Sequence, residues 1–401
     1  MKFFHFHLMP WRYLPEDFAA THDSAWVWCP NSYYDPVRGH ALYTEYIDSL
    51  VQAEALGFDG ACVNEHHQNA YGNMPSPNLI AAMLFARTQR MQVAVLGNAL
   101  PLYGTPLRIA EEFAMLDTIS GGRLIAGFVV GGSPEYHSFN INPTTARARF
   151  AEAHDLIIQA WTRPGPFEFY GKYYQHRYVN PWPRPLQQPH PRVWVPGVGS
   201  LETMEFCAKR RYAYMSIPFF SMRTVRRMSG LFNEQCEKQG YTAHPEQTSL
   251  NIGVYVAETD AKAWERFEPP FWYFQRNLLK GLIDINTPGY TSIKSTMGMV
   301  QNLGEFVASC QTRADLERGD FCVVGSPETV RQKLSELLRD LGTGNLLMSA
   351  HYGSMDFPTY DSSMRLFASE VLPKLRAEFA AQDAIPYPAP RAIFESQEAA
   401  A

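Results

Sequence analysis

Leu56-Gly57-Phe58-Asp59-Gly60-Ala61-Cys62-Val63-Asn64-Glu65-His66-His67 reads as the working unit of a parallel α/β fold. Leu56-Gly57 ends a helix, Phe58-Asp59 turns the chain, and Gly60 to Val63 is a short apolar strand. Asn64 to His67 then leave that strand for a loop rich in turn formers, Tyr71-Gly72-Asn73-Met74-Pro75-Ser76-Pro77. In a barrel of parallel strands the carboxyl ends carry the chemistry. Glu65, His66 and His67 delivered together to such an end make either a proton-transfer site or a metal site.

The strand–helix rhythm continues to both ends of the chain. Strands are predicted at 3–8, 60–63, 93–96, 124–130, 193–195, 214–217, 250–256 and 346–348. Helices are predicted at 41–56 and 77–88, from Thr105-Pro106 through Ile109, Phe113, Leu116 and Ile119, and around Phe150, Ala153, Ile157 and Trp161. Others follow Ser200, span 225–239, and start at Thr359 with a kink at Pro373. Eight alternating units predict an α/β fold of the (β/α)8 TIM-barrel type, a single domain over 1–385 with a tail at 386–401. Insertions are expected after strands one, four and seven. The first, 9–38, is dense in Trp and Tyr, and the second, 167–191, reads as a hairpin and loop. The third, 268–320, begins Phe271-Trp272-Tyr273-Phe274, is punctuated by glycines, and has the composition of a lid.

An apolar fraction of 46% can fill a large core, and a net charge of -5 without a basic stripe argues against nucleic acid as a partner. The six cysteines are scattered with no C-x-x-C, as expected of free thiols in a reducing cytoplasm. The start, Met1-Lys2-Phe3-Phe4-His5-Phe6-His7, is too short and too interrupted for a signal peptide, and no apolar run is long enough to span a bilayer. The expectation is a soluble cytoplasmic protein with no membrane partner.

His5-Phe6-His7 places two imidazoles on one face of strand one, a pair that metal-dependent barrel hydrolases use. The ends of strands five and six, Val195-Pro196-Gly197 and Ser216-Ile217-Pro218, bring no further histidine, so the ligand set is incomplete and no metal is expected. Pro196-Gly197-Val198-Gly199-Ser200-Leu201-Glu202-Thr203 opens a helix after strand five, where glycines and helical N–H groups suit a phosphate. An ordinary N-cap at Ser200 explains the same residues. Glu202 occupies the third-glycine position of a dinucleotide fingerprint, and Val324-Gly325-Ser326-Pro327-Glu328 is a rival helix opening.

Several blocks in order and at spacing resemble the bacterial luciferase-like flavin-dependent monooxygenases. They are Gly57-Phe58-Asp59 with Glu65-His66-His67, Leu100-Pro101-Leu102 with Pro106-Leu107-Arg108, Glu111-Glu112, and Leu116-Asp117 leading to Ser120-Gly121-Gly122-Arg123. Gly131, Phe139, Phe150 and Glu152 extend the pattern. The resemblance implies a (β/α)8 barrel binding FMN, or the deazaflavin F420, at the strands' carboxyl ends. It implies His66 as the acid or base beside the flavin, oriented by Glu65 or His67. It also implies Asn98, Gly131, Gly199, Ser200 and Thr203 as cofactor-binding positions.

The implied reaction is oxygenation of a small apolar or carbonyl-containing substrate through a flavin C4a-hydroperoxide. Reduced FMN would come from a separate flavin reductase, since no second domain for NAD(P)H is visible. A homo-oligomer, dimer or tetramer, is expected. Two positions depart from the luciferase branch. Val130 stands where an arginine pairs with the phosphate, leaving Arg108 as the candidate substitute, and Gly199 stands where an acidic residue precedes the serine. The alternatives are an F420-dependent hydride-transfer enzyme, a metal-dependent barrel hydrolase and a non-catalytic flavin-binding protein.

Overall fold

The computed structural model describes residues 1–281, 297 and 310–394. Among these, the strands are β1 (Lys2–Phe6), β2 (Gly60–Val63), β3 (Gln92–Val95), β4 (Asn98–Ala99), β5 (Leu124–Val129), β6 (Phe167–Tyr170), β7 (Gln175–Val179), β8 (Arg192–Gly197), β9 (Ala213–Ser216), β10 (Leu250–Val256), β11 (Cys322–Gly325) and β12 (Asn345–Ser349). All ladders of the main sheet are parallel, and its order is β11-β10-β12-β1-β2-β3-β5-β8-β9, with β4 on β5. Eight of these strands are the barrel staves foreseen from the sequence. Their runs are apolar because interior side chains cover one face and helices the other. Phe4 of β1 meets Trp194 of β8 edge to face at 4.9 Å, and as these staves are not neighbours the contact crosses the barrel interior.

The side chains alternate along β1, so His5 and His7 point the other way, out toward the helices. His5 stacks on Tyr360 of helix Phe357–Leu366, and His7 lies against Tyr46 of helix Pro36–Ala55.

Two glycines let the chain between β3 and β4 cross close to β5. A Cβ on Gly127 would lie 1.7 Å from the Val95 carbonyl oxygen, and one on Gly97 would lie 2.6 Å from the Gly127 carbonyl carbon. That approach delivers Asn98 to the mouth.

Other departures are local. The fourth helix is preceded by a short one, Ser133–Ser138, and the third begins at Leu107 with Pro106 as its cap. The strand β11, adjoining the predicted helix opening at 324–328, was not foreseen; it adds to the outer half of β10. Phe271 to Phe274, near the start of the expected lid-like insertion, are helical. They end helix Asp260–Tyr273 and enter a π-helical turn, Phe274–Leu278, with Phe271 and Phe274 buried. The rest of the expected lid, 282–296 and 298–309, lies outside the described residues. Near the end of the chain Tyr387 packs under Arg192, and the Arg391 N–H donates to the Arg210 carbonyl. Among the described residues no helix is long and apolar enough to cross a membrane.

Barrel closure between β9 and β10 uses side chains. Ser216 Oγ donates to the Ser249 carbonyl at 2.8 Å and accepts from Asn251 N at 3.0 Å, and Ser216 N donates to Ser249 Oγ at 3.1 Å. Ser216→Ala would strand a buried carbonyl and a buried N–H, so a loss of about 1–3 kcal/mol is expected from denaturant midpoints. An unchanged midpoint would show that the closure is held elsewhere.

Candidate active site

The candidate residues lie along one arc of the sheet, on β2, β4 with β5, and β8, and each comes just after or at a carboxyl end. The Glu65 side chain is buried to 1% exposure. Its Oε2 accepts from Asn98 Nδ2 and from the Tyr103 hydroxyl, both at 2.8 Å, and from Ala99 N at 3.3 Å. Its Oε1 pairs with His67 Nε2 at 2.9 Å. Burial, and then the Glu65 charge, hold the Tyr103 phenol far above its ordinary pKa, so it remains a donor.

His66 turns to a different carboxylate. Its Nδ1 lies 3.2 Å from Glu135 Oε1, on the short helix after β5. The carboxylate on the His66 ring is thus Glu135, while Glu65 and His67 pair with each other. A carboxylate on Nδ1 favours the tautomer with its proton there, leaving Nε2 to exchange protons. The His66 N–H donates to Met74 O at 3.2 Å, which folds the loop back over the strand end. Trp26, from the first insertion, stands edge-on to His66 at 5.4 Å and stacks on Tyr71 at 4.1 Å. Its indole N–H donates to Leu278 O, so the aromatic insertion does hang over the mouth. Glu135 was invisible to sequence reading. Its only signal was position, six residues past the end of an inner strand.

Asn98 Oδ1 and Asn64 Oδ1 are both buried without a hydrogen-bond partner, which leaves two acceptors at this end of the barrel. Gly131 adopts φ +91°, and the Tyr136 hydroxyl donates to Val130 O at 2.7 Å beside it. At the end of β8, Gly199 has φ +101° and its N–H donates to the Tyr214 hydroxyl at 2.9 Å. Ser200 is the N-cap of helix Leu201–Arg210, yet its hydroxyl accepts no N–H of that helix. It donates instead to Glu202 Oε2 at 2.7 Å and accepts from Arg147 Nη2 at 3.3 Å. Thr203 lies half-buried on the first turn.

The rival opening is different: Ser326 caps Thr329, and its own N–H is already taken by Asp260 Oδ1 at 2.6 Å. Arg108 is bound to Glu112, whose other oxygen holds Asn78 on the adjacent helix. Across the mouth, a narrow cleft is lined by Phe6, Leu8, Phe219, Phe274, His351 and Tyr352. Among the described residues no three His, Cys, Asp or Glu side chains cluster to hold a metal.

The outward histidines form a buried set, with His7 Nε2 3.2 Å from His351 Nδ1. Burial pushes the imidazoles of His5 and His351 down to about 3, and that of His7 well below its ordinary value. Below the ordinary imidazole pKa of 6.5 the unfolded chain takes up protons that the folded core refuses. Stability is therefore complete above that pH and is lost as pH falls toward about 3. Melting temperature is expected to drop steadily as pH falls below about 6.5 toward about 3, and less steeply in His351→Gln. Equal slopes would remove the histidine cluster as the cause.

Comparison with known proteins gives a consistent result. A family model described as luciferase-like monooxygenase matches residues 27–344. The 3,6-diketocamphane 1,6-monooxygenase of Pseudomonas putida is 25% identical, over 82% of this chain and 92% of its own. The oxygenase component of a flavin-dependent trigonelline monooxygenase from Acinetobacter baylyi is 30% identical, over 55% of this chain and 61% of its own. The solved oxygenating constituent of 3,6-diketocamphane monooxygenase from Pseudomonas putida, a type II Baeyer–Villiger monooxygenase in complex with FMN, superposes with a TM-score of 0.68. It shares 23% identity, covering 84% of this chain and 94% of that one.

Proposed function

This chain belongs to the luciferase-like monooxygenase family, and from that premise we propose a two-component, FMN-dependent monooxygenase acting on a small apolar or carbonyl-containing molecule. The observation that carries the reading is the His66–Glu135 pair, set under an aromatic cover at a barrel mouth that also holds orphaned acceptors and an N-cap hydroxyl that caps no N–H of its own helix. Those features fit a flavin: hydrogen-bonding side chains suit the ring edge, and Ser200, Thr203 and the helix start suit the phosphate.

When bound, reduced FMN supplies the electrons that activate O2 for transfer of one oxygen atom to the substrate. Glu135 fixes the His66 ring and its tautomer, so that His66 Nε2 takes up or returns the proton that oxygen transfer requires. Glu65 acts one layer back, holding Asn98 and Tyr103 in place while it occupies His67. Trp26, Tyr71 and Phe274 exclude water from the histidine side of the mouth. The apolar cleft beside His351 is the proposed substrate compartment. The phrase "oxygenase component" in the trigonelline relative's name supports a separate reductase as supplier of reduced FMN.

The test is to load the protein anaerobically with reduced FMN, mix with O2 and follow the absorbance. Flavin that reoxidises more slowly than in free solution, through a spectrally distinct species, supports the reading. Reoxidation at the free rate overturns it, and reduced F420 is then the next cofactor to load. With diketocamphanes and trigonelline as the first substrate panel, His66→Ala is expected to lower oxygenation about 100-fold. Full turnover in that variant would remove His66 from the mechanism.

We also infer a homo-oligomer. Leu79 and Met83 on helix Pro77–Arg87, and Met115 and Ile119 on helix Leu107–Ser120, form an exposed apolar face on two packed helices. Sedimentation should give a multiple of the chain mass for the wild type and the single-chain mass for a Leu79→Glu/Ile119→Glu variant. A monomeric wild type would end this inference.

A further inference from the structure

Among the described residues, two side-chain hydroxyls border the apolar cleft beside His351, those of Ser349 and Tyr352. We propose that the Tyr352 hydroxyl is the donor that fixes a carbonyl oxygen of the substrate in this cleft. The inference rests on the function proposed above and selects, within it, the carbonyl-containing class.

Backbone register puts that hydroxyl inside the barrel. Phe6 of β1, Ser349 of β12 and Gly253 of β10 lie side by side in the parallel ladders. Phe6 follows Phe4 by two residues, and Phe4 reaches Trp194 across the interior, so the row faces inward. Tyr352, three residues past Ser349, folds back over this row. A Cβ on Gly253 would lie 2.8 Å from the Tyr352 hydroxyl oxygen, so the phenol fills the space that glycine leaves. Phe267, Phe271 and Phe274 hold its ring, with centroids 5.5, 5.6 and 5.5 Å away.

Hydrogen bonding decides what kind of ligand this end can take. Ser349 Oγ donates to Asn251 Oδ1 at 3.2 Å, which commits the serine proton and leaves its oxygen an acceptor. Burial raises the Tyr352 pKa far above its ordinary value, and the neighbouring Ser349 lowers it by less, so the phenol keeps its proton. A neutral donor at the edge of an apolar cleft favours an acceptor. A ketone or aldehyde oxygen gains a hydrogen bond there, and a hydrocarbon of the same shape does not. Phe274 borders the same cleft and lies 5.7 Å from Tyr71, whose ring is 4.9 Å from that of His66. A carbonyl held at Tyr352 leaves the rest of the molecule to extend along Phe274 toward the His66 side of the mouth.

The experiment titrates the protein, with and without oxidised FMN, with cyclohexanone and with methylenecyclohexane, which carries CH2 in place of the carbonyl oxygen. Binding is followed by ligand-observed NMR. The wild type is expected to prefer the ketone about 3- to 10-fold, the range for one neutral hydrogen bond. Tyr352→Phe should lose that preference and keep its affinity for methylenecyclohexane, which also reports an intact cleft. Ser349→Ala should retain the preference, since the serine only competes for the phenol proton. A preference that survives Tyr352→Phe overturns the assignment, and so does one lost in Ser349→Ala but not in Tyr352→Phe. A wild type with no ketone preference overturns it too, while slowed reoxidation of reduced FMN would leave the flavin reading standing. A Tyr352-dependent preference beside reoxidation at the free rate overturns the flavin reading alone.

Discussion

A carboxylate buried at the end of a barrel strand must find all its hydrogen bonds inside the protein, and Glu65 meets that demand by organising the mouth around itself. An unpaired buried charge costs several kcal/mol. Its partners therefore have to arrive from three places: His67 from its own loop, Asn98 and Ala99 from the short β4, and Tyr103 from the turn beyond. The Asn98 position in turn depends on the near-contact of Gly97 with Gly127. His66 is the one ionisable residue of the run left outside this network, and it is the one that meets Glu135. A single desolvated group thus separates a structural histidine from a chemically available one.

Much of the fold was legible because parallel staves are apolar on both faces and helices of regular spacing lie between them. The two-residue β4 was too short to give a period. The histidines of β1 show a sharper limit. Alternation tells that His5 and His7 share a face, but not whether that face is the barrel interior or the helix side; Phe4 against Trp194 decides it. At the site, Glu65 to His67 and the Ser200 turn could be found from their place after predicted strands. Glu135 and Arg147 could not, since their relation to His66 and Ser200 spans 69 and 53 residues of chain.

The blocks that carry the family resemblance are for the most part clasps. Asp59 accepts from Phe3 N and from Arg376, tying β1 to the last helix. Asp117 holds Gln187 of the second insertion, and Arg123 donates to Met91 O and Thr88 O where one helix gives way to β3. Glu152 gathers the N–H groups of Lys172, Tyr173 and Tyr174 at the tip of the hairpin. Charged residues at these places satisfy backbone groups that loops leave open. In this chain these blocks meet the demands of the barrel's connections.

The closure between β9 and β10 gives the barrel a seam. Seven junctions between staves are zipped by backbone ladders, and the recorded bonds across the eighth pass through the hydroxyls of Ser216 and Ser249. A hydroxyl bridge can swivel and re-form with little backbone movement, whereas a ladder opens only by shifting a whole strand. The wall is therefore held along one line by two side-chain hydroxyls in place of a ladder, and that line runs up to Phe219, which borders the apolar cleft.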